Sequence, residues 1–434
     1  MKSGWKTEKL GDVCAFLNRG ISPKYLEQDG ICVLNQKCIR DHRVSYAQAR
    51  RHDSIVKRVG AERFIQLGDV LVNSTGTGTL GRVAQVREAP PEPTTVDSHV
   101  TIVRPISNKF SPDFFGYMLV LIEEGIKEAG EGCGGQTELA RFVLAERFTV
   151  SYPTSLEEQK RIVTILDEAF ESIGTARANA EQNLQNARAL FESHLESVFT
   201  QHTGWIETTL GNEADLLVGF AFKSIHYTDA EDGVRLLRGD NIVQGSLRWD
   251  DVKKWPRQNA EGFNRYELKV GDIVLAMDRP WVKAGLKHAA IGHNDLPCLL
   301  VQRTACLRGS ANLDNRFLMY LIGSARFTHH ILGVQTGIGV PHISGQQIKD
   351  FPFLRPPARQ QQLIATQLDD LKEKVQRLEI IYQKKIAALD ELKKSLLRQA
   401  FSGQLGASQA VTDPSPEVCL KPRSASTLVH CRAS

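Results

Sequence analysis

The chain has 434 residues, of which 41% are hydrophobic, so it is long enough for about three structural units with packed cores. Its 54 basic and 50 acidic residues leave a net charge of +4, which is too small to indicate nucleic-acid binding by itself. No apolar run approaches the roughly 20 residues that a membrane span needs, and no apolar segment typical of a secretion signal follows the first lysines. We therefore expect a folded cytoplasmic protein that does not insert into a membrane.

The cysteines are scattered and form no CxxC pair. This pattern disfavours a zinc ribbon, a redox dithiol and a dense disulfide framework, and it favours a reducing compartment. The eight positions are Cys14, Cys32, Cys38, Cys133, Cys298, Cys306, Cys419 and Cys431.

The first part of the chain combines strand and helix patterns. VLVNST, RVAQV and HVTIV are short β-branched runs between segments rich in Gly, Pro, Asn and Asp, which is typical of strands. The apolar segment FFGYMLVLIEEGIKEA, which follows them, predicts a helix. These patterns predict a mixed α/β domain over residues 1–153.

A long helix is predicted after Pro153, where a capping box at Ser155 and Glu158 marks its start. About 45 residues at 1.5 Å rise give roughly 65 to 70 Å of helix, which is too long to be buried in one domain. We therefore predict a spacer helix over residues 154–202. Its apolar positions follow the spacing of a coiled-coil seam, mostly with small residues. They are Leu166, Ala169, Ile173, Ala176 and Ala180.

The second half of the chain repeats the first. GWKTEKLGD near the start matches GWIETTLGN at an offset of 200 residues, and LGDVLV matches VGDIVL further on. The segments DIVLAM and TACL predict strands, and RFLMYLIGSARFTHHIL predicts the equivalent helix. With this many landmarks in one order, chance similarity is a poor explanation. The repeat predicts a second domain over residues 203–355.

A second long helix is predicted over residues 356–405, after the tandem prolines. Its seam is rich in leucine and contains one polar residue, Lys385. Residues 406–434 are small, polar and proline-bearing, so a disordered tail is expected there. The apolar seam positions are Leu371, Val375, Leu378, Tyr382, Leu389, Leu392 and Leu396.

The two long helices are predicted to pair with each other. An alanine-rich seam against a leucine-rich one keeps two helices close without voids. The first helix leads from one domain to the next and the second runs back, so the pair is antiparallel. The predicted fold class is therefore mixed α/β (α+β): two pseudo-symmetric globular domains separated by a long antiparallel two-helix coiled coil.

Two similar domains held apart by a rod match the geometry of a protein that recognises two half-sites on one DNA duplex. A purely structural rod that holds two domains for another purpose has the same layout. The geometry alone favours DNA only modestly.

The motifs resemble those of specificity subunits of type I restriction-modification systems. The resemblance covers Trp5 to Leu405 and lies in GWxxxxLG at the start of each half, the GD(V/I)(L/V) strand, the (E/Q)QxxIxxxLD helix start, and LDELKKSLLRQAFSGQL. It implies two target recognition domains, each recognising one half of a bipartite asymmetric DNA sequence. It also implies helices that serve as spacer and as docking surface for two methyltransferase subunits, with restriction and translocase subunits as further partners of the complex on double-stranded DNA.

No motif in the sequence has both the residues and the structural context of a catalytic or cofactor site. Gly76 to Gly81 satisfies GxGxxG, but a dinucleotide site needs a helix next, whereas RVAQV predicts a strand. A glycine-rich hairpin is the simpler interpretation. GxxxxGK[ST], HExxH and an NPP(Y/F) methyltransferase motif do not occur in the sequence. We expect no catalytic or metal-binding residue and no cofactor in this chain, with S-adenosylmethionine, ATP and Mg bound by partner subunits as the resemblance implies.

Candidate DNA-binding residues are polar and basic side chains in the loops between predicted strands. Arg and Lys suit guanine or phosphate, Asn and Gln suit adenine, and Ser and Thr contact either. An ordinary solvated loop residue is an equally good explanation for each one taken singly. The candidates are Asn35, Gln36, Lys37, Thr75, Thr77, Arg82, Gln136 and Thr137 in the first domain, and Arg238, Asp240, Asn241, Arg279, Trp281, Lys283, Lys287, Gln335 and Thr336 in the second.

The scaffold motifs agree between the two halves, whereas the loop tips differ. NQKC stands opposite RGDN, and STGTGTLGR stands opposite MDRPWVKAGLK. Such a difference suits two different half-sites. The sequence therefore predicts a DNA-recognition subunit without catalytic activity. An autonomous enzyme, a structural scaffold and a methylation-only system without nuclease remain alternatives.

Overall fold

The structure is a computed structural model that describes residues 4–130, 138–200, 203–282, 285–334 and 341–405. These residues form two compact units. The first contains the described residues up to Thr175 and from Leu389 onward, and the second contains those from Ala176 to Ala388. Each long helix is thus divided between the units, and the domain boundaries drawn from the sequence stay a prediction.

The first unit begins with short strands and three helices, followed by the first long helix. The strands are β1 (Trp5–Lys9), β2 (Cys14–Arg19), β3 (Tyr25–Leu26), β4 (Ile31–Leu34), β5 (Ile39–Arg40), β6 (Arg43–Val44), β7 (Arg50–His52), β8 (Val70–Asn73), β9 (Val83–Gln85), β10 (Thr94–Val96), β11 (Val100–Pro105) and β12 (Thr149–Pro153). The helices are α1 (Pro112–Leu121), α2 (Glu123–Glu128), α3 (Arg141–Glu146) and α4 (Leu156–Val198). The strands and the helix predicted for the first domain are therefore confirmed, although the helical segment is split into α1 and α2.

The second unit follows the same plan and includes the second long helix as far as Ala388. The strands are β13 (Ile206–Thr209), β14 (Ala214–Val218), β15 (Val234–Leu237), β16 (Ile242–Val243), β17 (Ser246–Leu247), β18 (Lys253–Trp255), β19 (Ile273–Ala276), β20 (Trp281–Val282), β21 (Gly285–Leu286), β22 (His288–Ala290), β23 (Cys298–Leu300), β24 (Thr304–Gly309) and β25 (Pro352–Arg355). The helices are α5 (Leu210–Glu213), α6 (Asn315–Gly323), α7 (Ala325–Val334), α8 (Gly345–Lys349) and α9 (Ala358–Phe401).

The sheet topology repeats from one unit to the other. The order β2-β11-β8-β9 in the first unit matches β14-β24-β19-β22 in the second, and the pair β1-β12 matches β13-β25. Both units also contain one parallel pair, β4 with β10 and β15 with β23. The internal repeat and the mixed α+β class predicted from the sequence are therefore confirmed.

The core of each unit lies between the four-stranded antiparallel sheet and the helix that follows it. Phe114 and Phe115 of α1 are fully buried in the first unit, and Phe317 of α6 is fully buried in the second. Burying a side chain of this size stabilises the fold by about 1.5–3 kcal/mol. The apolar helix segments recognised in the sequence therefore supply the principal packing of both domains.

A buried glutamine fastens each long helix to its domain. Gln159 is 0% exposed, and its Oε1 accepts a hydrogen bond of 2.8 Å from the Ser111 amide while its Nε2 donates one of 2.8 Å to the Pro153 carbonyl. Gln361, also 0% exposed, accepts a 2.8 Å bond from the Asp314 amide in the same way. These contacts explain why glutamine occurs at the same place in both helix starts.

The long helices run antiparallel to each other within each unit. In the first unit, Arg161 near the start of α4 donates a 3.1 Å hydrogen bond to the carbonyl of Leu405, just after the end of α9. In the second unit, Arg188 near the end of α4 lies 2.7 Å from Glu379 of α9. The predicted antiparallel pairing in one chain is therefore confirmed.

The packed stripe on α4 contains the predicted positions. Leu166, Ile173 and Ala180 are buried, and Ala169 and Ala176 are half-buried. The small side chains allow the partner helix to approach closely, as the alternation of small and large seams requires.

The packed stripe on α9 departs from the predicted seam at alternate positions. Val375 is buried, and Leu371, Tyr382, Leu389 and Leu396 are half-buried, but Leu378 and Leu392 are 38% and 46% exposed. Lys385 is exposed as well. The half-buried residues at these places are Glu379, Ile386 and Lys393.

The stripe keeps the 4-3 spacing of a seam but is displaced by one residue at every second position from Leu378 onward. Two of the three residues at these positions, Glu379 and Lys393, are polar, so hydropathy alone assigns the seam to the neighbouring leucines. Glu379 pairs with Arg188, and the ammonium of Lys393 lies 5.0 Å from the centre of the Phe170 ring. Leu378 and Leu392 are thereby left on the open side of the helix.

The cysteines of the described residues are free thiols, and Cys32, Cys38, Cys298 and Cys306 are buried. Burial raises the pKa of Cys298 to about 12, so its thiol is uncharged at neutral pH. These residues act as small apolar core residues.

Candidate nucleic-acid interface

Two of the predicted recognition loops of the first unit lie together. The turn after β4 contacts the loop between β8 and β9 through Gln36, whose carbonyl accepts a 3.0 Å hydrogen bond from Asn73 Nδ2. The side-chain Oε1 of Gln36 also accepts a 3.1 Å bond from the Thr79 hydroxyl. The sequence pattern therefore located two loops that form one surface.

The residues beside Gln36 have different environments. Asn35 Oδ1 accepts a 2.8 Å hydrogen bond from the Lys37 amide, and Asn35 Nδ2 donates one of 2.6 Å to the Gln48 carbonyl. The amide of Asn35 is therefore used to hold the turn. Lys37 is exposed, and no described residue pairs with its ammonium, so it is available to an anion.

The glycine-rich segment is a hairpin loop, as the sequence predicted. Val72 of β8 pairs with Val83 of β9 in an antiparallel register, and a strand, not a helix, follows the last glycine. Gly76, Gly78 and Gly81 have φ values of 102°, 76° and 83°, a region that only glycine enters without strain. The loop is therefore a tight hairpin tip and lacks the strand-to-helix turn of a dinucleotide site.

The hairpin loop presents three of the candidate residues. The Thr75 hydroxyl lies 2.6 Å from His99 Nδ1, and Thr77 is exposed at the tip. Arg82 donates a 3.0 Å hydrogen bond from Nη2 to the Gly78 carbonyl, which folds its side chain back over the loop.

A cavity of about 480 Å³ beside this hairpin is lined by four basic residues and by two acidic ones, Asp41 and Glu123. The basic residues are Arg40, His42, Arg82 and Lys127. Glu123 lies among them, 2.6 Å from His42 and 3.1 Å from Lys127. Burial alone raises the pKa of Glu123, but the hydrogen bonds and charges of His42 and Lys127 outweigh it and lower the pKa. Apart from Arg82, the sequence analysis did not identify these residues. Arg40 and His42 lie in the hairpin β5–β6, and Glu123 and Lys127 lie in α2, so the sequence pattern does not show that they meet.

The second unit has an equivalent hairpin with different side chains. The Ala276 amide donates to the Lys287 carbonyl at 3.1 Å, as the Asn73 amide donates to the Arg82 carbonyl at 2.9 Å. Lys287 therefore occupies the place of Arg82. It is only 7% exposed.

The other candidates of the second unit divide into structural and exposed residues. Asn241 is 3% exposed, and its side chain accepts from the Arg238 amide at 3.0 Å, so it holds the turn as Asn35 does. Arg238 lies 3.2 Å from Asp240, which is exposed. Arg279 is exposed and has a φ of 45°.

Trp281 is half-buried, and its indole Nε1 has no hydrogen-bond partner among the described residues. The remaining candidates lie outside the described residues. They are Gln136, Thr137, Lys283, Gln335 and Thr336.

One pair of equivalent positions, which the sequence analysis missed, carries different chemistry in the two units. The Ser74 amide donates to the His99 carbonyl at 2.8 Å, and the Met277 amide donates to the Arg303 carbonyl at 2.9 Å, so His99 and Arg303 correspond. His99 contacts the neutral Thr75 hydroxyl. The internal repeat could have identified this pair, because His99 directly precedes β11 and Arg303 directly precedes the equivalent strand β24.

In the second unit the corresponding contact is ionic. Arg303 lies 3.0 Å from Asp278, which also binds His342. The same backbone scaffold thus presents a hydroxyl and an imidazole in one unit, and a carboxylate, a guanidinium and an imidazole in the other.

The described residues contain no group of His, Cys, Asp and Glu side chains that could hold a metal ion. None of the described helices is long and apolar enough to cross a membrane.

Residues 2–183 match the family model of the type I restriction modification DNA specificity domain. The matched residues make up less than half of the chain. The resemblance to type I specificity subunits that the motifs indicated is therefore confirmed.

Curated relatives of this specificity domain include the type I restriction enzyme EcoAI specificity subunit of Escherichia coli, which is 38% identical over 187 residues. That alignment spans 43% of this chain and 31% of the EcoAI subunit. The type I restriction enzyme MjaVIII specificity subunit of Methanocaldococcus jannaschii is 24% identical over 312 residues, which span 69% of this chain and 71% of the relative.

Solved structures with a similar fold include a chain from the structure of complex assembly and conformational transition of the type I R-M system. It has a TM-score of 0.74 and 16% identity, and the match covers 92% of this chain and 98% of that one. The HsdS subunit from Thermoanaerobacter tengcongensis has a TM-score of 0.55 and 17% identity, with coverage of 93% and 98%. At identities of 16% and 17%, these likenesses concern the fold alone.

Proposed function

We propose that the chain is the sequence-recognising, non-catalytic subunit of a type I restriction-modification complex. Each domain recognises one half of a bipartite, asymmetric target on double-stranded DNA, and the two long helices set the number of base pairs between the halves. The observation that carries this proposal is the repetition of one scaffold with different polar tips. Thr75 and His99 stand in one unit where Asp278 and Arg303 stand in the other.

The chemistry of these tips suits DNA. Hydroxyl, imidazole and guanidinium groups donate to base acceptors in the major groove, and an aspartate accepts from the cytosine amino group. The cations of the first-unit cavity and the exposed Lys37 suit phosphate contacts, which position a protein on the duplex. A purely structural scaffold does not require different donors and acceptors at equivalent loop ends of its two domains.

Methyltransferase subunits are the proposed partners of the long helices. Large apolar side chains are exposed on α9 away from its packed stripe, which favours burial against another protein. Two repeated halves suit two methyltransferase subunits, and restriction and translocase subunits join the complete complex. The exposed residues are Leu363, Leu378, Ile380, Ile381 and Leu392.

Catalysis is assigned to those partners. We place S-adenosylmethionine on the methyltransferase subunits, and ATP and Mg on the restriction and translocase subunits. The purified chain is then expected neither to methylate nor to cleave DNA, and methylation by a preparation free of methyltransferase would contradict the assignment.

A domain exchange tests the recognition function. Residues 205–350 are replaced with the corresponding domain of a relative that has a known target, and the chimera is expressed with its methyltransferase. Sequencing of methylated DNA is expected to show one changed half-site and one retained half-site. A change in both halves, or in neither, contradicts independent recognition by the two domains.

Expression with and without the restriction subunit separates the complete system from a methylation-only one. Restriction of unmodified phage DNA is expected only when all subunits are present. Methylation without any restriction under these conditions identifies a methylation-only system and leaves the recognition function unchanged.

A further inference from the structure

Lys287 is a buried lysine without a counter-ion in the second unit. Its side chain is 7% exposed, and no described residue forms an ion pair or a hydrogen bond with its ammonium. Its backbone is fixed on both sides, because its amide donates to the Pro280 carbonyl at 2.7 Å and its carbonyl accepts from Ala276. The ammonium itself is not among the fully buried polar atoms, so this nearly buried side chain presents an unpaired positive charge at the surface of the unit.

The surroundings of Lys287 are positively charged. Burial lowers the pKa of its ammonium, the carboxylate of Asp240 raises it, and the guanidinium groups of Arg248 and Arg279 lower it further. Asp240 is already paired with Arg238 at 3.2 Å. The hairpin and the neighbouring turn therefore carry positive charge that no carboxylate among these residues fully compensates.

The space beside the ammonium is kept open by a glycine. A Cβ atom built on Gly239 lies 4.0 Å from Lys287 Nζ and 3.8 Å from the Cβ of Ala276. Any longer side chain at this position extends into the space next to the ammonium. Trp281, on the same hairpin, supplies a buried donor, its indole Nε1, without a partner among the described residues.

We propose that Lys287 binds a backbone phosphate of the DNA half-site that the second domain recognises; the proposal rests on the proposed function. An anion would compensate the positive charge of Lys287 and the neighbouring arginines. A compact ammonium binds phosphate as a point charge. A base contact is disfavoured by position. Phosphates form the projecting ridges of a duplex, whereas base edges lie at the floor of the grooves and are reached by projecting side chains.

The substitution Lys287→Met tests this contact, because it removes the charge and retains most of the side-chain volume. The complex of the specificity subunit with its methyltransferase is titrated with target duplex at several salt concentrations. Affinity is expected to fall about tenfold, and the slope of log affinity against log salt is expected to become shallower by about 1. The methylated sequence is expected to stay the same, because a phosphate contact carries no base information.

Thermal unfolding of the free complex distinguishes binding from a structural role. Lys287→Met removes an unpaired charge from a nearly buried side chain, so the melting temperature is expected to stay the same or to rise. Lys287→Arg keeps the charge and is expected to retain most of the salt slope. The matched control Lys269→Met removes the same charge from an exposed residue of the same unit and is expected to change neither quantity appreciably.

Three results overturn the proposal. An unchanged salt slope in Lys287→Met means that the ammonium contacts no phosphate. A lower melting temperature with unchanged affinity means that the lysine is structural, and an altered base in the methylated sequence means that it contacts a base. Each of these results leaves the domain exchange described above intact, so failure of the contact is distinguishable from failure of the proposed function.

Discussion

Arg308 binds Asp272 through two hydrogen bonds of 2.7 Å, from Nε and Nη2 to the two carboxylate oxygens. Arg104 binds Asp69 in the same way at 2.8 Å in the first unit. Both aspartates are nearly inaccessible, at 2% and 1% exposure. The paired Gly-Asp motifs of the sequence are therefore structural, because each aspartate anchors an arginine of the neighbouring strand.

Removing one partner of this ion pair is expected to destabilise the unit that contains it. Arg104→Met leaves Asp69 buried without its counter-ion, which costs about 3–5 kcal/mol. Urea unfolding followed by hydrogen exchange of the strands β8 and β11 measures the loss. The control Lys9→Met breaks the exposed pair with Glu146 and is expected to change the stability little. Equal effects of the two variants contradict a special role for the buried pair.

The buried glutamine at the start of α9 offers a second test with a control of the same residue type next to it. Gln361→Leu removes three hydrogen bonds to backbone groups and leaves those groups unsatisfied, at a cost of about 2–4 kcal/mol. Gln362 is exposed, so Gln362→Leu is expected to leave stability nearly unchanged. Thermal unfolding compares the two variants. A loss no greater for Gln361→Leu than for Gln362→Leu means that the amide does not fasten the helix.

The repeated motifs were the part of the fold that sequence predicted best. Buried anchors such as Asp272 and Gln361 recur because they satisfy fixed backbone geometry, and so they appear as identical residues at a nearly constant offset. Recognition residues have no such constraint. His99 and Arg303 occupy equivalent places but are different residues with different partners, so only the backbone hydrogen bonds show that they correspond.

The helix seam could be predicted only in part, because hydropathy does not describe long amphipathic side chains. Val375 follows the apolar pattern and is buried. Glu379 is half-buried although it is charged, since its carboxylate reaches Arg188 on the other helix.

The candidate loop residues show a second limit of prediction from sequence. Asn241 has the right chemistry for adenine but uses its amide to hold a turn.

Two neighbouring positions on α9 are expected to separate helix pairing from partner docking. Val375→Asp places a charge in the packed stripe and is expected to lower the stability of the second unit by several kcal/mol. Leu378→Asp changes an exposed residue, so the chain is expected to keep its stability and to lose affinity for the methyltransferase. Thermal unfolding of the chain and titration with methyltransferase separate these effects. Full methyltransferase binding by Leu378→Asp contradicts docking at this face.

Arg303 is expected to help determine the sequence of the second half-site. Its side chain is 70% exposed, and its guanidinium lies 3.0 Å from Asp278 at the end of the candidate loops. If it donates to a guanine, Arg303→Ala relaxes the methylated sequence at one position of that half-site, with a discrimination loss of about 1–3 kcal/mol. The first half-site is expected to remain unchanged, because the first domain has His99 at the equivalent position and is not altered by this substitution.

Sequencing of methylated DNA from cells that express Arg303→Ala with the methyltransferase measures this effect. The control is Arg257→Ala, which removes a guanidinium that is bound to the Asp232 carbonyl. It is expected to retain the complete target. Because relaxation at one base differs from a uniform loss of methylation, the experiment separates a base contact from a phosphate contact. A uniform loss in Arg303→Ala, with every base of the target retained, assigns this arginine to the DNA backbone and contradicts its role in specificity.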